Sequence, residues 1–144
     1  MYSGHVAARY VHLQCKCRTA STPDTQQWML FPPDDIVDGT WRLVVESVIG
    51  NRLGSGAKIA TGPSNPGRPR LICVYTSDWS DVSDVRRVLD ELVELGLCPR
   101  EGNGIYYKND AFTYLGIDSG NAYGLKASLY SSRDMLKEGA GARR

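Results

Sequence analysis

Three basic side chains in the middle of the sequence have the neighbours and spacing expected of residues that contact phosphate. Lys58 stands between Ala57 and Ile59 on a predicted strand, so it belongs to the polar side of an apolar segment. Arg68 and Arg70 flank a proline, and this spacing can place both guanidinium groups on one side of the chain. Such fixed positive charge binds phosphate through charge-assisted hydrogen bonds. The alternative is that all three are ordinary surface charges, the arginines protecting the edge of a hairpin.

Several aromatic residues are candidates for stacking against nucleic-acid bases. Trp79 lies in a predicted loop, whereas Tyr107 and Tyr114 lie on predicted strands. Aromatic rings on an open sheet face stack bases in many proteins that bind single-stranded nucleic acid. In antiparallel sheets such residues more often pack against one another across neighbouring strands. The sequence leaves both interpretations open.

Composition and charge restrict the classes of protein to consider. The 144 residues fit one domain, which can bury a core without metals or disulfides. The formal net charge is only +1, so any basic footprint must be local. The sequence has no apolar run long enough to cross a bilayer, and we expect no membrane partner.

The four cysteines, Cys15, Cys17, Cys73 and Cys98, are expected to be free thiols. The pair Cys15 and Cys17 is not followed by a second close Cys/His pair, so no zinc-site spacing is complete. We therefore expect neither a metal nor another cofactor. Without a secretory signal we expect an intracellular, reducing setting, in first place the cytoplasm, with an organelle as the alternative.

Hydrophobic periodicity predicts the elements that must position these side chains. Two amphipathic helices are predicted, over residues 41–49 and 81–95. Strands are predicted over residues 10–15, 28–31, 57–61, 70–76, 104–107, 111–117 and 123–130. This order predicts an α+β domain over residues 10–130, in which both helices cover one face of a curved antiparallel sheet. Residues 1–9 and 131–144 are predicted to be flexible termini. The other face would be concave and open to ligands.

Several short motifs are distributed over most of the chain. They are Trp28-Met29-Leu30, Trp41, Ala57-Lys58, Ile72-Cys73-Val74-Tyr75-Thr76, Tyr107-Lys108-Asn109-Asp110, Thr113-Tyr114-Leu115-Gly116-Ile117 and Leu129-Tyr130-Ser131-Ser132-Arg133. Together they resemble the basophilic leukaemia-expressed protein family, whose fold is similar to that of translation initiation factor 4E. The resemblance implies basic residues near a hairpin that contact phosphates, at Lys58, Arg68 and Arg70. Factor 4E also holds a methylated guanine between two loop tryptophans. Only Trp79 lies in a loop here, so cap recognition is not expected.

A second, shorter resemblance concerns bacterial phosphothreonine lyases. Val11-His12-Leu13, Ala57-Lys58-Ile59 and then the two arginines follow the order of motifs in those enzymes. The resemblance implies that Lys58 removes a proton, that His12 protonates the departing oxygen, and that Arg68 and Arg70 bind the phosphate. Such chemistry needs a base with a lowered pKa and an acid that titrates near neutrality. We expect His12 and Lys58 to be separated, or the site to lack depth.

These observations favour a non-enzymatic module that binds a phosphate-bearing ligand, RNA or a nucleotide, on the open sheet face. The phosphate would be held by Lys58, Arg68 and Arg70, with Trp79, Tyr107 and Tyr114 as stacking candidates. One alternative is the lyase, with His12 and Lys58 as its catalytic residues. The other alternative is a structural subunit of a larger complex, whose protein partner pairs with an open sheet edge.

Overall fold

The computed structural model describes residues 9–14, 26–62 and 67–141 of the chain. Within these ranges it contains six strands and four helices. In chain order they are β1 (Arg9–Gln14), β2 (Gln26–Leu30), α1 (Val37–Ile49), β3 (Gly56–Thr61), β4 (Ile72–Thr76), α2 (Val82–Glu94), β5 (Tyr106–Asn109), α3 (Asp110–Tyr114), β6 (Tyr130–Ser131) and α4 (Ser132–Gly141). The architecture is α+β, as the sequence predicted.

All six strands belong to one curved antiparallel sheet with the order β1-β3-β4-β2-β5-β6. The apolar run before Thr76 predicted a central strand, and all five residues of β4 are buried. The predicted hairpin is present as the pairing of β3 with β4, in which Lys58 lies opposite Cys73. Residues 63–66 of its connection lie outside the described residues.

The core lies between one face of the sheet and the helices α1, α2 and α4. Val44 and Val48 of α1, Val85 and Leu89 of α2, and Met135 of α4 are all buried in it. The strands contribute Trp28, Leu30, Ala57, Ile59, Ile72, Val74 and Tyr107 to the same cluster. Both predicted helices therefore cover one face, and we call the opposite side the outer face.

The apolar stripe of α1 is turned slightly from its predicted position. Ile49, the last apolar residue of the amphipathic helix predicted over 41–49, is 71% exposed, whereas Thr40 and Ser47 are buried. The helix begins earlier than expected, at Val37, and Val37 is itself buried. The stripe of α2 follows the prediction more closely, because Val85, Leu89 and Leu92 are all buried. Asp81, the residue before the helix, caps it by accepting a hydrogen bond from the backbone N–H of Asp84 at 3.1 Å.

The C-terminal third differs from the prediction of three full strands. Residues 110–114 form the short helix α3, whose first turn is stabilised by Asn109 accepting a hydrogen bond from the Ala111 amide at 2.8 Å. Gly116, with φ of 68°, then ends the helical turn. The predicted strand at 123–130 reduces to β6.

The segment predicted to be a loose tail contains α4. Asp134 donates its backbone N–H to the Ser131 hydroxyl at 3.2 Å, which caps the start of the helix. Ser132 is fully buried and accepts a hydrogen bond from the Ile105 amide at 2.9 Å. Together with the buried Met135, these contacts hold α4 against the domain. The sequence pattern missed the helix because its two large apolar residues, the buried Met135 and the partly buried Leu136, are adjacent and show no helical period. None of the helices in the described ranges is long and apolar enough to cross a membrane.

Candidate functional site

Lys58 and His12 occupy partner positions on neighbouring strands. The antiparallel register of β1 with β3 makes their Cα atoms direct partners. Directly opposite residues of an antiparallel pair belong to the same face of the sheet. The register therefore brings the two positions together. The side chain of His12 lies outside the described residues, so the expectation that the two groups are separated, or that the site lacks depth, stays a prediction.

The ammonium group of Lys58 lies between two tyrosine rings on the outer face. Its Nζ atom is 4.8 Å from the ring centre of Tyr10 and 5.4 Å from that of Tyr75. Tyr10 and Tyr75 are diagonal neighbours of Lys58 on the flanking strands β1 and β4. At these distances the negative faces of the rings attract the cation. The alternation of strand residues thus places an aromatic ring on either side of one positive charge.

The surroundings keep Lys58 protonated. Burial alone lowers its pKa, but the hydrogen bond and the charge interaction with Tyr75 offset that effect, with smaller contributions from Cys73 and Asp110, and the pKa is raised above its ordinary value. Burial also raises the pKa of Tyr75 and of Cys73, each to about 12. At neutral pH both neighbours are therefore uncharged. The site presents one cation in a neutral aromatic setting, and it does not present the low-pKa base that an elimination needs.

Gln27 and Asp110 extend this cluster toward β5. Gln27 is the Cα partner of Tyr75 on one side and of Lys108 on the other. Its Nε2 atom donates a hydrogen bond to Oδ1 of Asp110 at 2.7 Å. Gln27 is 3% exposed, and its Oε1 atom finds no hydrogen-bond partner among the described residues.

The two predicted arginines have different surroundings. Arg70 donates hydrogen bonds to the carbonyl oxygens of Ala60 at 3.0 Å and Gly62 at 3.4 Å, and its guanidinium lies 3.8 Å from the carboxylate of Asp34. These contacts fasten the β3–β4 hairpin to the segment before α1. Arg68 is exposed and forms no ion pair or hydrogen bond with the other described residues. Arg70 is therefore engaged internally, whereas Arg68 faces solvent.

The structure places the three stacking candidates in different environments. Tyr107 is fully buried, 5.3 Å from the ring of Trp28 in an edge-to-face pair, and its hydroxyl lies 2.5 Å from that of Thr76. A ring in the core cannot stack a base, so the cross-strand packing interpretation holds for Tyr107. Trp79 is 45% exposed, and its carbonyl oxygen accepts a hydrogen bond from Tyr130 at 3.0 Å. The side chain of Tyr114 lies outside the described residues.

Two cavities lie elsewhere on the molecule. One, of about 840 Å³, is lined by charged residues of α2, α4 and the connection between α2 and β5. The other, of about 470 Å³, is lined mainly by Phe31, Pro32, Pro33, Ile36, Leu97 and Ile105. Lys58 lines neither cavity. The described ranges also contain no cluster of His, Cys, Asp and Glu residues that could hold a metal ion. The Lys58 site thus lies on the outer face of the sheet, where Lys58 is half-buried and Tyr75, Cys73 and Gln27 are buried.

Sequence reasoning found Lys58 but missed the four other side chains of its cluster. Tyr10 and Tyr75 lie on the predicted strands 10–15 and 70–76, whereas Gln27 and Asp110 lie just outside the predicted strands 28–31 and 111–117. Alternation along β4 puts Tyr75 and Cys73 on one face, which is a usable signal. Their proximity to Lys58, however, follows only from the register of β3 with β4.

The cysteine prediction can be checked for two of the four residues. Cys73 and Cys98 are free, buried thiols, as expected. Cys15 and Cys17 lie outside the described residues.

A sequence model of the family of basophilic leukemia-expressed protein Bles03 matches residues 14–116, more than half of the chain. The matched range includes Lys58, Tyr75, Gln27 and Asp110.

Proposed function

This chain belongs to the basophilic leukemia-expressed protein Bles03 family, and we propose that it is a non-enzymatic module that binds a phosphate-bearing ligand, RNA or a nucleotide, on the outer face of its sheet. Lys58 is the central contact. Arg68 supplies a second positive charge, because it is exposed and without a partner in the described part of the chain. Arg70 would contribute only if its contacts with Ala60, Gly62 and Asp34 were exchanged for the ligand.

The groups that surround the ammonium of Lys58 support this proposal most directly. A partly buried lysine normally has a carboxylate beside it, since a buried charge without a partner is costly. Among the ion pairs formed within residues 9–14, 26–62 and 67–141, none includes Lys58. Its charge is supported instead by the rings of Tyr10 and Tyr75 and by a hydrogen bond with Tyr75, which leaves the remaining N–H donors of the ammonium group for an incoming anion.

The shape of the surface favours an extended ligand. The Lys58 cluster lies on a sheet face and not in either of the two cavities, whereas small-molecule sites are usually concave pockets. Single-stranded nucleic acid lies along such faces, with phosphates on basic groups and bases on aromatic rings. Tyr106, on the outer face and 51% exposed, is a better stacking candidate than the buried Tyr107.

The similarity to initiation factor 4E is part of the same proposal. It is supported by the motifs of the sequence and by a curved antiparallel sheet whose helices cover one face. An experimental structure that superposes the six strands on those of factor 4E in the same order would establish it.

A lysine substitution tests the binding proposal. Short RNAs and nucleotides are titrated at low salt against the wild-type chain, Lys58→Ala and Lys126→Ala, which removes the same charge from an exposed loop. We expect measurable RNA binding, with an affinity that falls several-fold in Lys58→Ala and is unchanged in Lys126→Ala. The slope of log affinity against log salt concentration should also become smaller in Lys58→Ala, by the amount that corresponds to about one phosphate contact. Absence of binding, or equal weakening in both variants, would refute the proposal.

The lyase is a second candidate because one of its geometric requirements is met. His12 and Lys58 occupy partner positions on one face, as a shared acid–base site requires. The raised pKa of Lys58 argues against it, since a protonated lysine cannot remove a proton. Mass spectrometry of a phosphothreonine peptide distinguishes the two candidates. Elimination leaves a dehydrated residue, whereas a binding module leaves the peptide unchanged.

A further inference from the structure

A continuous line of side chains crosses the outer face from β3 to the beginning of α3. Lys58 approaches the ring of Tyr75 to 5.4 Å, and Tyr75 is the Cα partner of Gln27. Gln27 in turn holds the carboxylate of Asp110 at 2.7 Å. One end of the line is therefore a cation and the other end an anion, with a tyrosine and an amide between them.

The amide of Gln27 has a fixed orientation. A carboxylate only accepts hydrogen bonds, so Gln27 must present its NH₂ group to Asp110 and turn its oxygen away. That oxygen is buried and lacks a partner among the described residues. An unpaired buried acceptor is unfavourable, so the hydrogen bond to Asp110 is kept although it leaves the Oε1 atom of Gln27 without a partner. Gln27 is accordingly a positioning residue for Asp110.

Asp110 retains a free acceptor for a ligand. Gln27 occupies Oδ1, and no other hydrogen bond to the Asp110 carboxylate is formed within the described ranges. The residue as a whole is only partly buried, so part of its surface faces solvent. Burial is the main cause of the raised pKa of Cys73 and Tyr75, and the negative charge of Asp110 contributes a smaller part to these rises and to the raised pKa of Lys58.

A carboxylate beside a phosphate site selects among anionic ligands. It repels a bare phosphate or a polyanion, unless the ligand brings a hydrogen-bond donor that the carboxylate can accept. In RNA every phosphate has a 2′-hydroxyl nearby, which is a donor, and DNA lacks this group. The combination of Lys58 with Asp110 is therefore suited to a phosphate accompanied by a sugar hydroxyl.

We propose that Asp110, positioned by Gln27, is the specificity-determining residue of the Lys58 site and selects ribonucleotide over deoxyribonucleotide ligands by accepting a hydrogen bond from a 2′-hydroxyl. The inference rests on the proposed binding function, which it extends from any phosphate-bearing ligand to a ribose-containing one.

Matched oligonucleotides test this inference. Fluorescence anisotropy is measured with oligouridine and with the same length of 2′-deoxyuridine oligonucleotide, so that only the 2′-hydroxyl differs. The wild-type chain is expected to bind the ribose form about tenfold more tightly, the effect of one hydrogen bond to a charged group. Asp110→Ala should remove this preference, mainly by strengthening binding of the deoxy form. Asp110→Asn, which keeps an acceptor oxygen, should retain part of it.

The possible outcomes distinguish this inference about Asp110 from the proposed phosphate-binding function on which it rests. Equal affinity of the wild-type chain for both oligonucleotides overturns the role of Asp110 but leaves phosphate binding by Lys58 intact. A ribose preference that survives in a folded Asp110→Ala variant, checked by circular dichroism, also overturns it. Failure of the wild-type chain to bind either oligonucleotide refutes both. The wild-type comparison does not depend on the variants being folded.

Discussion

The Nζ atom of Lys58 lies 5.4 Å from the centre of the Tyr75 ring, on the face of the sheet that the large helices do not cover. The pair joins β3 to β4, and each partner changes the titration of the other. The pKa of Lys58 is raised, partly by hydrogen bonding with Tyr75, and burial raises the pKa of Tyr75 to about 12. Over the physiological range the pair therefore carries one positive charge, as an anion-binding site requires.

The first prediction concerns alkaline pH. Lys58 has a raised pKa in the folded chain, so its protonation supports the fold fully below the ordinary lysine value and this support is lost as the pH rises through the folded pKa. Tyr75 and Cys73 also have raised pKa values in the folded chain. The contribution of each to folding stability is therefore lost as the pH rises from its ordinary pKa to about 12. Stability should consequently fall above about pH 9. Urea denaturation at a series of pH values from 7 to 11 measures this.

The same titrations predict how ligand binding responds to pH. Because Lys58 stays protonated, its contribution to RNA binding should be constant from neutral pH to about pH 9. A loss of binding centred near pH 7 in both the wild-type chain and Lys58→Arg would show that another group controls the site.

The second prediction concerns the reactivity of Cys73. Burial raises its pKa to about 12, so almost no thiolate exists at pH 8, and the thiol is 1% exposed. In a chain with Cys15 and Cys17 replaced by serine, Cys73 and Cys98 should react with a thiol reagent at pH 8 only after denaturation. Rapid labelling of the folded chain at Cys73, located by peptide mapping, would contradict the buried position of β4.

The third prediction concerns the hydroxyl pair of Tyr107 and Thr76. Both residues are fully buried, and their hydroxyl oxygens are 2.5 Å apart. Tyr107→Phe leaves the Thr76 hydroxyl without this partner and should cost about 1–3 kcal/mol of unfolding free energy. Thr76→Val should have a similar cost. In the double variant both polar groups are gone, so its loss should be smaller than the sum of the single losses. Additive losses in urea denaturation would show that the pair does not interact.

The fourth prediction concerns two glycines of opposite character. A Cβ atom at Gly54 would overlap the backbone carbonyl of Tyr75, whereas one at Gly39 would meet no atom within 4 Å. Gly54→Ala must displace the start of β3 or the end of β4 and should cost at least about 2 kcal/mol. Gly39→Ala, on the exposed side of α1, should instead stabilise the chain by about 0.5–1 kcal/mol. Thermal denaturation of the two variants checks both signs. A neutral Gly54→Ala would mean that β4 is not packed against this loop.

The α+β class and the positions of most elements followed from local patterns. The apolar run ending at Tyr75 indicated a central strand, and the spacing of Val85, Leu89 and Leu92 indicated a helix with one buried face. These signals succeed because a central strand is buried on both faces, and a helix that packs on a sheet is buried at every third or fourth residue. Where the apolar signal was weak, as in α3 and α4, hydrogen bonds from backbone N–H groups to the side chains of Asn109 and Ser131 decided the local structure instead.

The sequence by itself identified Lys58 as a candidate, because a single lysine between apolar neighbours on a strand is recognisable locally. Only the tertiary structure decided its surroundings. Tyr10 and Tyr75 reach it through the registers of β1 and β4 with β3, and Gln27 meets Asp110 across 83 positions of the chain. The tertiary structure also shows that Arg70 makes internal contacts and that Tyr107 lies in the core. Strand order and register arise from the packing of the whole core, which no local pattern of residues encodes.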